Sequence, residues 1–170
     1  MTTTTTYPVR EHTAGTVIAS PTTPVYAVVG FDGTPPAVRA LDGAARLLHG
    51  RAGGLEVVFV AHVSALGDLA EFPGNAAAEI LSGFDDTSRQ LGSEVREQLA
   101  HAEQRWHFQR RDGVVADELI AMARELRRQH GPEAAVVIVV GRSGHRYHRV
   151  AGSVAQALER HNDFPVIVIP

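Results

Sequence analysis

A glycine-rich, basic segment follows the most apolar run of the chain, and its residue types suit the binding of an anion. Residues 139–158 read VVGRSGHRYHRVAGSVAQAL and contain Gly141, Gly144 and Gly152, the last followed directly by Ser153. Glycine permits positive φ and leaves backbone N–H groups bare, so that they can close on a ligand. If a helix begins here, its free N–H groups and its dipole favour a phosphate. The alternative is an ordinary glycine-rich turn in which Ser153 is the N-cap.

Basic side chains add possible phosphate contacts to this segment. They are His145, Arg146, His148 and Arg149. Arginine pairs with phosphate in a fork geometry, although these side chains could equally face the solvent. The two histidines could also bind a metal ion, but no further acidic or His ligand stands at a recognisable spacing. The sequence therefore predicts no metal site.

Two other polar or strand-terminal positions are expected at the same place. The apolar run VYAVVGF (25–31) ends at Asp32, and the run LEVVFVAHV (55–63) ends at Val63. In open parallel sheets, ligands bind beyond the carboxyl ends of the strands, where the strand order reverses. Asp32, which precedes Gly and Thr, could alternatively just shape the turn from strand to helix.

These positions must be held by strands and helices that alternate along the chain. Continuous apolar runs predict buried strands, and apolar residues at helical spacing predict helices between them. The predicted strands are 25–31, 55–63, 106–111, 134–141 and one within 164–170. The predicted helices are 36–49, 85–104, 114–130 and 152–161, and 64–84 is predicted to be a long connection with a short helix near 76–81. This order favours an α/β fold with one doubly wound, parallel sheet of five strands and helices on both faces.

The first predicted helix carries Val38, Leu41, Ala45 and Leu48 at helical spacing, which is typical of the face that packs on a sheet. Ahead of the first strand, residues 1–24 begin MTTTTT and add more Thr and Pro. This composition predicts a disordered tail, followed by a single domain over residues 25–170.

Composition excludes several classes of protein. The 170 residues include no Cys, which excludes disulfides and cysteine nucleophiles, and no Lys, which excludes Schiff-base chemistry and a P-loop. The net charge of −3 argues against nucleic-acid binding. No apolar run approaches the roughly 18 residues of a membrane span, and no secretory signal is visible. We therefore expect a cytoplasmic protein with neither nucleic acid nor a membrane as a partner.

Three stretches together resemble the universal stress protein family. They are VVGFDGTPPAVRAL (28–41), VFVAHV (58–63) and the final VVIVVGRSGHRYHRVAGSV with PVIVI. The similarity covers residues 25–170. It implies a flavodoxin-like sheet of strand order 3-2-1-4-5 and, in the nucleotide-binding members, ATP held by Gly-x2-Gly-x9-Gly-Ser/Thr.

Carried onto this sequence, the resemblance implies a site for an adenine nucleotide, ATP or AMP. Asp32 would sit against adenine or ribose and Val63 would contact adenine through its backbone. The ribose and phosphates would be held by Gly141, Gly144, Gly152 and Ser153. The sequence departs from the family pattern in two places: HRYHRVA has seven residues where the motif has nine, and Ala155 stands where binders often carry a second hydroxyl.

Nothing in the sequence assembles a catalytic set, because Ser153 has no evident base and orienting group. We expect a stress-response protein that binds a nucleotide and signals through association, with Mg²⁺ possible beside a triphosphate. One alternative is a dimeric interaction module with a vestigial pocket, and another is a slow ATP hydrolase. The resemblance also implies a homodimer through the apolar edge strand in 164–170, because such an edge must be covered or paired.

Overall fold

The structure is a computed structural model, and it describes residues 23–62, 76–142 and 153–170. The strands are β1 (Val25–Gly30), β2 (Gly53–His62), β3 (Arg105–Gly113), β4 (Ala135–Gly141) and β5 (Val166–Ile169). The helices are α1 (Pro35–Leu48), α2 (Ala76–Gln98), α3 (Val115–His130) and α4 (Ser153–His161). The predicted alternation of strands and helices is confirmed.

All five strands pair in parallel in one sheet of order β3-β2-β1-β4-β5. β1 is central, with Val29 paired to Val57 of β2 on one side and to Val139 of β4 on the other. All three valines are fully buried. The continuous apolar run of β1 fits this interior position, because only a strand covered on both faces avoids exposing such a run.

The two faces of the sheet carry separate cores, because successive side chains of a strand point to opposite sides. On one face Ala27 and Val29 pack in the cluster that contains Leu41 of α1 and Val95 of α2. On the other face Val28 packs in the cluster formed with α3 and α4. The helices therefore cover both faces, as the doubly wound fold requires.

The buried face of α1 differs from the predicted one. Val38 is 36% exposed, and Ala45 is only half-buried. The residues that face the sheet are instead Ala37, Ala40, Leu41, Ala44 and Leu48. The prediction for Val38 was wrong because helical spacing alone does not decide which of two adjacent apolar stripes packs on the sheet. A stripe of alanines lets the helix axis approach the strands more closely.

The helix α2 also differs from the prediction, because residues 76–98 form one continuous helix and not a short helix followed by a separate one. Gly83 lies inside it and is exposed, at a cost of about 1 kcal/mol relative to Ala. Packing of Phe84, Leu91 and Val95 against the core outweighs this penalty. In the described ranges, no helix is both long and apolar enough to cross a membrane.

Candidate functional site

The carboxyl edges of β1 and β4 meet at the point where the strand order reverses. From β1 the chain proceeds to β2 on one side, and from β4 it proceeds to β5 on the other. The helix after β1, α1, packs on one face of the sheet, and the helix after β4, α4, packs on the other. Such a reversal opens a crevice between the two strands. The segment after β1 and the segment after β4, both singled out in the sequence, begin at this crevice.

The described residues enclose a cavity of about 200 Å³ at this edge. Its floor is apolar, since it contains Val58, Leu119 and Val140, which are 1%, 0% and 6% exposed. The exposed residues Asp32 and Thr34 also line it. An apolar floor with a few polar groups at the mouth is the usual composition of a small-molecule site.

Asp32 shapes the turn from β1 to α1. Its Oδ1 accepts hydrogen bonds from the backbone N–H of Thr34 at 3.0 Å and from the hydroxyl of Thr34 at 2.6 Å. Thr34 is the N-cap of α1; its side chain makes no capping hydrogen bond, and its hydroxyl donates to Asp32. The second residue of the helix is Pro36, which has no N–H for the cap to accept. The structure therefore shows that Asp32 shapes this turn through Oδ1. No hydrogen bond to its other oxygen, Oδ2, occurs among the described residues.

Gly141 lies where β4 passes the first turn of α1. A Cβ at this position would collide with the carbonyl carbon and oxygen of Pro36. Because both colliding atoms belong to the backbone, no rotamer change could make room. Glycine at 141 thus allows the end of β4 and the start of α1 to close the same cavity from two sides.

The helix α4 begins at Ser153, one residue later than predicted, and its amino end lies at the same edge. The next residue, Val154, lines the cavity. Ala155 is 2% exposed and packs in the core on the α3 side of the sheet. The position at which the family resemblance led us to expect a second hydroxyl is therefore a core position in this chain.

The structure thus brings Asp32, Gly141 and the start of α4 together. The remaining predicted site residues lie outside the described residues, and their roles stay predictions: Val63, Gly144, His145, Arg146, His148, Arg149 and Gly152. Over the described ranges, no group of three or more His, Asp or Glu side chains could hold a metal ion.

The comparisons with known proteins agree with this arrangement. The family model described as the universal stress protein family matches residues 27–170, which is all of the sheet except the first two residues of β1. The chain belongs to the universal stress protein family. No protein with a curated description is significantly similar to it in sequence.

Solved universal stress proteins share the fold of this one. One from Burkholderia pseudomallei is 23% identical with a TM-score of 0.63, and covers 85% of this chain and 95% of its own. A universal stress protein solved in complex with cAMP is 20% identical with a TM-score of 0.60, over 85% of this chain and 96% of its own. One from Arabidopsis thaliana with AMP bound is 13% identical with a TM-score of 0.51, over 86% and 91%.

The floor of the crevice in this universal stress protein was missed by the sequence interpretation. Val58, Val60, Val115 and Leu119 line the cavity, yet in the sequence they look like any other apolar core residue. A usable signal is position, because alternate residues near the carboxyl ends of central parallel strands point toward one crevice. Val58 and Val60 on β2 have this spacing.

Proposed function

We propose that this universal stress protein binds an adenine nucleotide, ATP or AMP, in the cavity between β1 and β4. The observation that carries the proposal is the apolar cavity at the strand-order reversal, with the Asp32 carboxylate at its mouth and the first turn of α4 beside it. A ligand with a flat apolar part, a hydroxylated middle and an anionic end matches these three features in chemistry.

Each part of the nucleotide has a proposed partner. Adenine lies against Val58, Val140 and Leu119, with the backbone of Val63 alongside. Oδ2 of Asp32 accepts a hydrogen bond from a ribose hydroxyl, while Oδ1 remains bound to Thr34.

The phosphates lie at the amino end of α4, where unpaired N–H groups and the helix dipole favour negative charge. Ser153, together with Gly141, Gly144 and Gly152, holds the phosphates and ribose there. The side chains of His145, Arg146, His148 and Arg149 add charge, and Mg²⁺ accompanies a triphosphate. The solved universal stress proteins with cAMP and with AMP support the choice of an adenine nucleotide.

We further propose that the protein is a cytoplasmic stress-response protein whose signal passes through association, with the homodimer formed by β5. This strand pairs with β4 on one side. The backbone N–H of Ile138 donates to the Pro165 carbonyl, and that of Arg142 donates to the Ile169 carbonyl. The backbone N–H and C=O groups of the odd-numbered residues of β5 therefore face β4. In a parallel ladder the backbone of Val168 then faces outward, where it can pair with a second copy.

A dimeric interaction module with a vestigial pocket is the second candidate. It is favoured by the size of the described cavity, which at about 200 Å³ is below the roughly 300–1,000 Å³ typical of ligand sites. The segment between Gly144 and Gly152 is two residues shorter than in the family motif, which also favours the second candidate.

Isothermal titration distinguishes the two candidates. The full chain, freed of nucleotide by denaturation and refolding, is titrated with ATP, AMP and cAMP. We expect micromolar binding of at least ATP or AMP. The double variant Asp32→Ala with Gly144→Val should abolish it, and Asp42→Ala, which removes an exposed carboxylate elsewhere on α1, should leave it unchanged.

The relative affinities identify which phosphates the short segment recognises. No heat and no thermal shift with any of the three nucleotides, from protein with a cooperative melting transition, would favour the vestigial pocket. Equal binding by the wild type and the double variant would show that the nucleotide binds outside the β1–β4 crevice.

A further inference from the structure

A second, larger cavity lies at the opposite end of the sheet from the nucleotide crevice. Its volume is about 690 Å³, and it opens above Gly54 at the amino end of β2, on the face that α3 covers. We call it the Gly54 recess. Its size falls within the range of small-molecule sites, and neither Asp32 nor Gly141 of the proposed nucleotide site lines it.

The strand register explains why a recess exists here. Tyr26, Gly54 and Arg105 stand side by side on β1, β2 and β3. Gly54 has no side chain to fill the middle of this row, and a Cβ there would lie 2.8 Å from the carbonyl oxygen of Arg105. With strands about 4.8 Å apart, Tyr26 and Arg105 are separated by roughly 10 Å, which is wide enough for a planar ring.

A wall of two stacked aromatic rings forms one side of the recess. The rings of Tyr26 and His130 stack with centroids 3.9 Å apart and an interplanar angle of 11°. Both rings line the cavity, together with Met122 of α3. Such a wall offers apolar contact to a planar ligand at little cost in side-chain entropy, since the two rings already hold each other in place.

Glu56 lies in the next row of the same face and supplies the charge. Its side chain is only 13% exposed, and its carboxylate accepts hydrogen bonds from His107 Nδ1 at 2.8 Å and from Gln109 Nε2 at 3.3 Å. A carboxylate offers about four acceptor positions, so about two remain. Within the described ranges no arginine pairs with Glu56.

The other charged groups that line the recess are exposed. Apart from the histidines His107 and His130, they are Arg51, Glu103 and Arg105, and with Glu56 these contain two positive and two negative charges. The exposed groups are hydrated and screened by salt, whereas the largely buried carboxylate of Glu56 is screened less. The charge that a bound ligand meets at the inner end of the recess is therefore negative.

We propose that the Gly54 recess binds a small planar organic cation whose amidine-like or guanidine-like group pairs with Glu56 while its flat part lies along Tyr26 and His130. A fork of two N–H donors matches the two free acceptor positions of the carboxylate. This site is separate from the nucleotide crevice, and its occupancy does not depend on the nucleotide proposal.

The test uses benzamidine as the probe and benzoate as its matched control, because the two are planar, of similar size and opposite in charge. The full chain labelled with ¹⁵N is titrated with each. We expect benzamidine to shift the backbone amides of Leu55, Glu56 and His107, with a Kd of about 1 mM or tighter. Benzoate should leave the same amides unchanged.

Variants locate the charge that is recognised. Glu56→Gln keeps the shape of the side chain and should raise the Kd for benzamidine about tenfold or more. Glu97→Gln, which removes an exposed carboxylate from α2, should leave it unchanged. ATP or AMP titration of Glu56→Gln should match the wild type, which separates this site from the nucleotide site.

Three results would each overturn the proposal. They are the absence of amide shifts at 10-fold the expected Kd, equal binding of benzoate and benzamidine by the wild type, and an unchanged benzamidine Kd in Glu56→Gln. The comparison of the two probes uses only the wild type, so it decides the matter even if the variant does not fold.

Discussion

Substitution of Gly141 by Ala tests whether the end of β4 and the first turn of α1 really close on each other. The added methyl group would overlap the backbone carbonyl group of Pro36. Pro36 belongs to α1, whose buried alanines fix the helix against the sheet, so the overlap can be relieved only by moving one element away from the other. The same movement would open the crevice between β1 and β4.

The expected cost follows from overpacking a well-filled region, which is typically about 1–3 kcal/mol. The upper end applies here, because the colliding atoms are backbone atoms and no side chain can swing aside. For a domain of this size, each kcal/mol lowers the melting temperature by about 2–4 °C. We also expect weaker binding of ATP or AMP, since Gly141 lines the cavity.

Thermal unfolding followed by circular dichroism measures the first effect, and isothermal titration measures the second. Gly83→Ala is the matched control, because a Cβ at Gly83 meets nothing within 4 Å and the residue lies inside α2. The control should be more stable than the wild type by about 0.5–1 kcal/mol, with unchanged nucleotide binding. The same chemical change thus has opposite signs at the two sites.

A Gly141→Ala protein that melts at or above the wild-type temperature would refute the close approach of β4 and α1. A loss of stability without any change in nucleotide affinity would show that the approach is real but does not shape the binding site. Gly-to-Ala changes also affect stability through the unfolded chain. Because Gly83→Ala is the same chemical change, the control shows how large this general effect is.

Three further predictions concern the turn, the crevice floor and the edge strand. Asp32→Ala removes both hydrogen bonds to Thr34 and should cost about 1 kcal/mol in chemical denaturation. Asp32→Asn, which retains the Oδ1 acceptor, should be nearly as stable as wild type, and equal losses in the two variants would contradict the turn assignment. Leu119→Ala removes a fully buried side chain at the cavity floor and should cost about 2–5 kcal/mol, measured by urea unfolding; a cost below about 1 kcal/mol would place Leu119 outside the core. Val168→Pro removes an outward N–H without loss of pairing to β4, so light scattering should show a folded monomer where we expect a dimer for the wild type, and a persistent dimer would place the interface elsewhere.

The fold could be predicted from the sequence because each local pattern is compatible with only one kind of element in an α/β fold. Continuous apolar runs such as 25–31 need cover on both faces, and helices between parallel strands supply that cover. The same logic placed Asp32 and Gly141 at one edge, since Asp32 follows one strand and Gly141 ends another that runs in the same direction. These inferences need only local periodicity and the rules of parallel connections.

Local periodicity could not decide which of two apolar stripes of α1 packs on the sheet. Val38 and Ala37 are neighbours in the sequence, and the choice between them depends on how closely the helix approaches the strands. The continuity of α2 through Gly83 was likewise beyond local reasoning, because the packing of Phe84 and Leu91 against the core outweighs the local propensity.

The sequence by itself determined the α/β architecture, the family and the edge of the sheet at which Asp32 and Gly141 lie. The existence of the Gly54 recess was decided only by the tertiary structure, because its walls come from residues as far apart in the sequence as Tyr26 and His130. Strand register brings Tyr26, Gly54 and Arg105 into one row, and register is set by burial summed over whole strands. A local pattern depends on residues that are adjacent in the sequence, whereas a cavity depends on which distant residues become neighbours in the fold.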